Sequence, residues 1–264
     1  MVNTLPKLKL ESISGHDFAA FANENPVILL PLGSHEDHGP FLPMGDHVLA
    51  ELLAVKVATR CRESGVLAFV APVLPFGVAD YFGSSPGGLA ISDATFRGVL
   101  TDLLRCCLRH KLKRVVILNG HGGNVPGIHD VTLAINLSDR QIIPSIYLWK
   151  VARLLMERQV GHGVSFGHGA EPLLSLTMAA RPDHVTSSQV SSTVEGSLLG
   201  LPMADFGAVE FDGIPINVPA EFDKVSDQVM RDAKTRASAE LGDAVSNQLV
   251  NLIAKFIKHY VSVT

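Results

Sequence analysis

The chain has 264 residues, enough for an α/β domain with a substantial core, and 47% apolar against 18% charged residues is a globular balance. A formal charge of −4 with no basic block and no acidic tail makes nucleic acid and anionic membrane surfaces poor partners. No apolar run reaches about 18 residues, so no spanning helix is expected.

The opening "MVNTLPKLKLESISGHDF" lacks a cationic segment followed by an apolar one, so no secretory signal is expected. "PVILLPL" (26–32) is short, apolar and ended by glycine, and reads as a buried strand. The loop behind it carries His35, Glu36, Asp37, His38, Asp46 and His47. "DHVLAELLAVKVATRCRES" (46–64) repeats apolar residues at steps of three and four, which predicts an amphipathic helix with Asp46 near its start. "VLAFVAPVL" (66–74) predicts a second strand, and a loop rich in Gly, Ser and Pro follows. "SDATFRGVLTDLLRCCLRHK" (92–111) predicts a helix opened by a Ser-Asp cap. Cys61, Cys106 and Cys107 lie in these helical stretches and read as reduced thiols of a cytoplasmic protein.

"KRVVILN" (113–119) predicts a third strand, broken by "GHGGN", and a helix is expected over about 125–138. "QIIPSIYLW" (141–149) predicts a fourth strand, "KVARLLMERQ" a helix, and "VGHGVSFGHGA" (160–170) a second loop of glycine and histidine. Pro172 stands early in a helix predicted over 171–185, where its missing N–H costs nothing. Residues 186–222 look irregular, and a long helix over about 225–260, interrupted at Gly242, closes the chain. Strands alternating with helices imply a single domain whose mainly parallel sheet is covered by helices on both faces.

In such a sheet the loops leaving the carboxyl ends of the strands gather along one edge, where ligands bind. Glu36, His38 and Asp46 leave the first strand, His121 the third, and His162, His168 and Glu171 follow the fourth. Glu36 and His38 are two apart, so an extended segment turns both toward one point and His35 and Asp37 toward another. A carboxylate at the start of a helix is electrostatically favoured there, and Asp46 is free to turn back to the loop. Mixed imidazole and carboxylate ligands suit Zn²⁺, Mn²⁺ or Fe²⁺. Plainer readings exist for each motif. "NGHGGN" reads equally as a nest of N–H groups for an anion, and Glu171 as a surface acid matched to a helix dipole.

"PLGSHEDHGPFLPMGDH", "ILNGHGGN" and "HGAEPLLS" resemble, in order and spacing, the three signature segments of the creatininase (creatinine amidohydrolase) family, over roughly residues 8–185. The resemblance implies a creatininase-like α/β fold, a site for two divalent metal ions, a small-molecule substrate and a homohexamer. It puts Glu36, His38, Asp46 and His121 at metal-ligand positions, with Asp46 bridging the ions. Glu36 and His121 then complete one ion, and His38 sits on the other. A further family glutamate, two residues after the histidine of "NGH", is Gly123 here, and the resemblance takes the missing carboxylate from Glu171. His168 matches the proton-transfer histidine, with Glu171 as metal ligand or proton shuttle. Trp149 falls near a pocket tryptophan, and the N–H groups of Gly122 and Gly123 are candidates for holding the oxyanion.

Departures bear on the substrate. Leu173 replaces a common acid, "SSPGG" (84–88) stands where "FPGT" is frequent, and no second pocket tryptophan lies near Val164. The expected activity is metal-assisted hydrolysis of a small cyclic amide, ureide or formamide other than creatinine. Two rivals are hydrolysis of a C–C bond in a cyclic ketone or a polyol-derived substrate at the same metals, and a non-hydrolytic nucleotide or anion module built on "NGHGGN".

Overall fold

A strand covered on both faces buries every side chain, which is why "VILLPL" carries no polar residue: β1, Val27–Leu32, is buried throughout. The computed structural model describes residues 7–82, 84–161, 163–186, 196–205, 207–221 and 227–264. β2 (Ala68–Val70), β3 (Arg114–Asn119) and β4 (Ser145–Tyr147) complete a parallel sheet of order β2-β1-β3-β4. Its helices are α1 (Gly15–Ala22), α2 (His47–Glu63), α3 (Asp93–Arg109), α4 (Val125–Asp139), α5 (Leu148–Val160), α6 (Leu173–Ala180), α7 (Gln228–Lys234) and α8 (Ala239–Val263).

The period of two along each strand divides the core. Val27, Leu29, Val116 and Leu118 face the side covered by α2, α5, α6 and α8. Ile28, Leu30, Leu32, Val115 and Ile117 face the side covered by α3 and α4. Fully buried Phe69 and Phe96 anchor the second side, and each such ring contributes roughly 1.5–3 kcal/mol of burial. Because α2 leaves β1 toward one face and α4 leaves β3 toward the other, a crevice opens between the carboxyl ends of β1 and β3. This is the α/β fold, helices on both faces of a parallel sheet, that the alternation of strands and helices predicts. Among the described residues no helix is long and apolar enough to cross a membrane.

The structure corrects several boundaries. Pro72 lacks an N–H donor, and β2 stops at Val70 instead of running to residue 74. The fourth strand shrinks to Ser145–Tyr147, and the chain winds straight into α5, so Trp149 is a helical residue. In the closing segment the break falls between Lys234 and Ala239, where the Ser238 hydroxyl caps α8 by accepting from Leu241 N at 3.1 Å. Gly242 does not interrupt α8; a Cβ there would lie 1.9 Å from the Ser175 carbonyl oxygen, so glycine lets α8 lie on α6.

The stretch expected to be irregular contains a second sheet. β5 (Ser197–Leu198), β6 (Leu201–Asp205), β7 (Ala208–Phe211) and β8 (Ile214–Asn217) run antiparallel in that order. Its hairpins turn at Leu199-Gly200 and Asp212-Gly213, all four residues at positive φ, the geometry that matches the twist of paired strands.

Candidate functional site

The loop after β1 behaves as an extended segment. Glu36 and His38 are 2% and 3% exposed, while His35 and Asp37 between and beside them are only half-buried. The loop closes on itself through Gly45 N to Glu36 O at 2.8 Å and Ser34 N to Asp46 Oδ1 at 2.7 Å. Gly33 makes room for that return: a Cβ there would stand 2.5 Å from Asp46 Oδ1 and from the His47 backbone. The start of α2 is thereby pressed against the end of β1, and Asp46 turns inward as its position predicts.

His121 leaves β3 and meets both acids, with Nδ1 3.1 Å from Glu36 Oε1 and 3.4 Å from Asp46 Oδ2. Its Nε2 lies 2.7 Å from the Val78 carbonyl, which accepts from an N–H there and leaves Nδ1 as the atom aimed at the acids. Gly123 allows this approach, because a Cβ would clash with Val78 O at 2.0 Å. A larger side chain at this position has no space in this loop.

His38 Nε2 stands 3.5 Å from Glu36 Oε1 and 4.0 Å from Asp46 Oδ2. His168 stacks on His38 with ring centroids 4.7 Å apart and on Phe82 at 4.5 Å. Its Nε2 contacts the Asp37 carbonyl at 2.5 Å, and its Nδ1 is 4.0 Å from Glu36 Oε1. Two sets of side chains therefore offer ligand atoms within 4.8 Å of one another: Glu36, Asp46 and His121, and Glu36, His38 and His168.

Electrostatics of the site follow from its burial. Desolvation raises the Glu36 carboxyl above its ordinary range against the pull of His121. Desolvation lowers His38 well below the usual imidazole value, helped by the neighbouring imidazoles, and lowers His168 to about 3. Burial opposes charge on His121 as well, but Asp46 and Glu36 outweigh it and raise its pKa. Glu36 Oε2 and His38 Nδ1 are buried with no hydrogen-bond partner among the described residues. Two carboxylates and a neutral imidazole packed together, with orphaned atoms, are a costly arrangement for a protein alone and a fitting one for divalent cations.

Glu171 follows a different plan. It is 1% exposed and borders the same cavity, but Ser175 takes both of its oxygens and it belongs to neither ligand set. The sequence expectation gives Glu171 the missing metal carboxylate; here its oxygens accept from Ser175 at the start of α6. His168, expected as a proton carrier, also stands in one of the two ligand sets. His162 lies outside the described residues.

All these groups open into one cavity of about 440 Å³, with Gly122, Gly123 and Trp149 among its walls. The Trp149 indole N–H donates to the Gly120 carbonyl, which fixes the ring against the loop after β3. Sequence reasoning missed Phe82, Phe166, Tyr147, Lys150 and Arg153 on these walls. Arg153 had a signal: four residues beyond Trp149, it shares that residue's side of α5. Phe82 and Phe166 had none, for loop conformation alone brings them in.

The family model described as creatinine amidohydrolase matches residues 11–257. The chain belongs to the creatininase family. The creatinine amidohydrolase of Pseudomonas putida is 29% identical over 252 residues, 88% of each chain. The mycofactocin precursor peptide peptidase of Mycolicibacterium smegmatis is 32% identical over 107 residues, 39% of this chain and 42% of that protein. The match to that relative thus spans less than half of its length. A manganese form of creatininase superposes with a TM-score of 0.72 at 25% identity, covering 97% of this chain and 99% of the other. The creatininase-family chain keeps its ionisable residues where the sheet edge gathers them.

Proposed function

We propose that residues 1–264 act as one metal-dependent amidohydrolase unit that cleaves the C–N bond of a small cyclic amide, ureide or formamide, and not of creatinine. The observation that carries this reading is the pair of ligand sets sharing Glu36 at the floor of the cavity. Glu36, Asp46 and His121 would hold one divalent ion and His38, with His168 and Glu36, a second; Zn²⁺, Mn²⁺ and Fe²⁺ all accept such donors. Bound there, such ions supply Lewis acidity toward a carbonyl oxygen and a water made acidic near neutral pH.

The chain's own groups do the rest. Val78 and Asp37 fix the ring orientation of His121 and His168 through their carbonyls. Glu171, buried beside the floor with its carboxyl pKa raised by desolvation, is assigned to carry a proton to the departing nitrogen. Gly122 and Gly123 border the cavity, and their N–H groups are assigned to hold a developing oxyanion. Trp149, Phe82 and Phe166 exclude water and pack against the substrate body. Leu173 on the wall, where an acid is common in the family, supports a substrate other than creatinine.

A phosphate cradle at Gly122 and Gly123 is disfavoured, since a nucleotide there would face the buried Glu36 and Asp46 carboxylates. The homohexamer implied by the family remains part of the proposal, and light scattering tests it. Elemental analysis of protein purified without added metal, in moles per chain, tests the centre. Asp46→Ala and the milder Asp46→Asn are expected to lose bound metal and amide hydrolysis together. Retained turnover in a metal-free variant sinks the proposal.

A further inference from the structure

We propose that the substrate carries an anionic group, a carboxylate or a phosphate, that docks on Lys150 and Arg153; this rests on the hydrolase reading of the same cavity. The cavity is polarised. Its three acids, Glu36, Asp46 and Glu171, are 1–2% exposed at the floor. Its two other charged lining residues, Lys150 and Arg153, stand on α5 at the solvent side, Lys150 exposed and the Arg153 side chain 56% exposed. Among the described residues no acid lines the cavity at that side.

The spacing of three on α5 puts both cations on one helix face, one turn apart, so a single anion reaches both. Lys150 has no ion-pair or hydrogen-bond partner among the described residues. Arg153 uses Nε on Glu157 Oε1 at 2.9 Å and stacks its guanidinium 4.8 Å over the Phe166 ring. That leaves four of its five N–H donors for a ligand, on a group oriented by the aromatic wall. A volume of about 440 Å³ accommodates a substrate of ring size with one substituent. The amide then goes to the floor, a flat body lies along Trp149 and Phe82, and the anion reaches the open side. An isolated pair of surface cations serves solubility on any face of a helix. These two line the cavity, and a neutral substrate leaves them without a role.

The experiment uses three formamides with one body: formanilide, 4-formamidobenzoate and 4-formamidophenyl phosphate. kcat/KM is measured on the metal-loaded protein and on K150Q, R153Q and the double variant. Wild-type protein is expected to favour at least one anion over formanilide by about tenfold or more, through KM, as befits charge-assisted hydrogen bonds. Whichever anion shows the preference identifies the group. The ratio of anion to neutral falls in each single variant and collapses toward one in the double. In wild-type protein the same preference shrinks as salt rises. A ratio near one in wild type, or one that survives the double variant, overturns the inference. If none of the three is turned over, hydrolysis of formamides fails separately. Calorimetric Kd values of the same compounds then supply the ratio, and it supports or overturns the anion site by the same thresholds.

Discussion

Ser175 holds the carboxylate of Glu171 with two donors, its hydroxyl to Oε1 at 2.5 Å and its backbone N–H to Oε2 at 3.1 Å. The Ser175 hydroxyl in turn accepts from Ser238 N at 3.1 Å, so the residue that caps α8 helps to set the carboxylate. A hydrogen bond to a charged group is worth about 1.5–3 kcal/mol, and the hydroxyl is the part a mutation removes. Ser175→Ala is expected to lower kcat by roughly ten- to a hundredfold while KM moves little, because Glu171 loses orientation and the cavity walls stay intact. Steady-state kinetics on protein of unchanged metal content checks it. A change confined to KM contradicts the assignment of Glu171 to proton transfer.

Gly242 tests the same contact from the other helix. Its added methyl would meet the Ser175 carbonyl at 1.9 Å and Ala179 Cβ at 3.0 Å, and a backbone atom has nowhere to retreat. Gly242→Ala gains helix propensity of about 1 kcal/mol in isolation. Overpacking of about 1–3 kcal/mol or more outweighs it here. The expected result is a lower Tm together with reduced kcat, since α8 can move away only by shifting Ser175. A Tm equal to or above the wild-type value shows that α6 and α8 separate freely.

The sequence made the sheet legible because β1 and β3 are unbroken apolar runs flanked by long periodic helices, a pattern few other folds produce. The alternation of Glu36 and His38 was legible for the same reason, since an extended loop obeys a period of two. The second sheet was hidden because its strands are short and β8 is exposed throughout, so burial left no alternation to read. Asp212-Gly213 between "AVEF" and "IPIN" was the available hairpin signal. The place of Glu171 was not legible at all. Whether its oxygens face the floor or the start of α6 depends on Ser175 four residues on, and on Ser238 some sixty residues later.

Cys61 on α2 is fully buried, and desolvation pushes its thiol up to about 12. In the unfolded chain the thiol ionises near its ordinary value of about 8.5. Between these values the unfolded state binds fewer protons than the folded one, so stability falls as pH rises above about 9. The expected outcome is a urea midpoint that declines from pH 8 to pH 10.5 more steeply in wild type than in Cys61→Ala. Iodoacetamide at pH 8 should spare Cys61 in the native protein and label it after unfolding. Equal slopes for the two proteins dismiss the linkage.

Glu36 sits at the point where stability and function conflict. Its carboxylate is 2% exposed, its Oε2 is orphaned, and Asp46 adds a second buried negative charge beside it. His121 faces both acids through Nδ1, so one imidazole has to compensate two carboxylates. Replacing this imperfectly compensated buried charge with a neutral amide of the same shape relieves desolvation, while Asp46 stays beside His121 Nδ1 as its partner. Glu36→Gln is therefore expected to raise the Tm of the chelator-treated protein by several degrees. Adding Mn²⁺ or Zn²⁺ should reverse the order, because binding to the folded state stabilises wild type by mass action and the variant hardly at all. Thermal unfolding of both proteins with chelator and with each metal reads the crossover directly. A variant less stable than wild type under chelator means that Glu36 serves the fold through His121, and the metal reading of this acid then loses its physical basis.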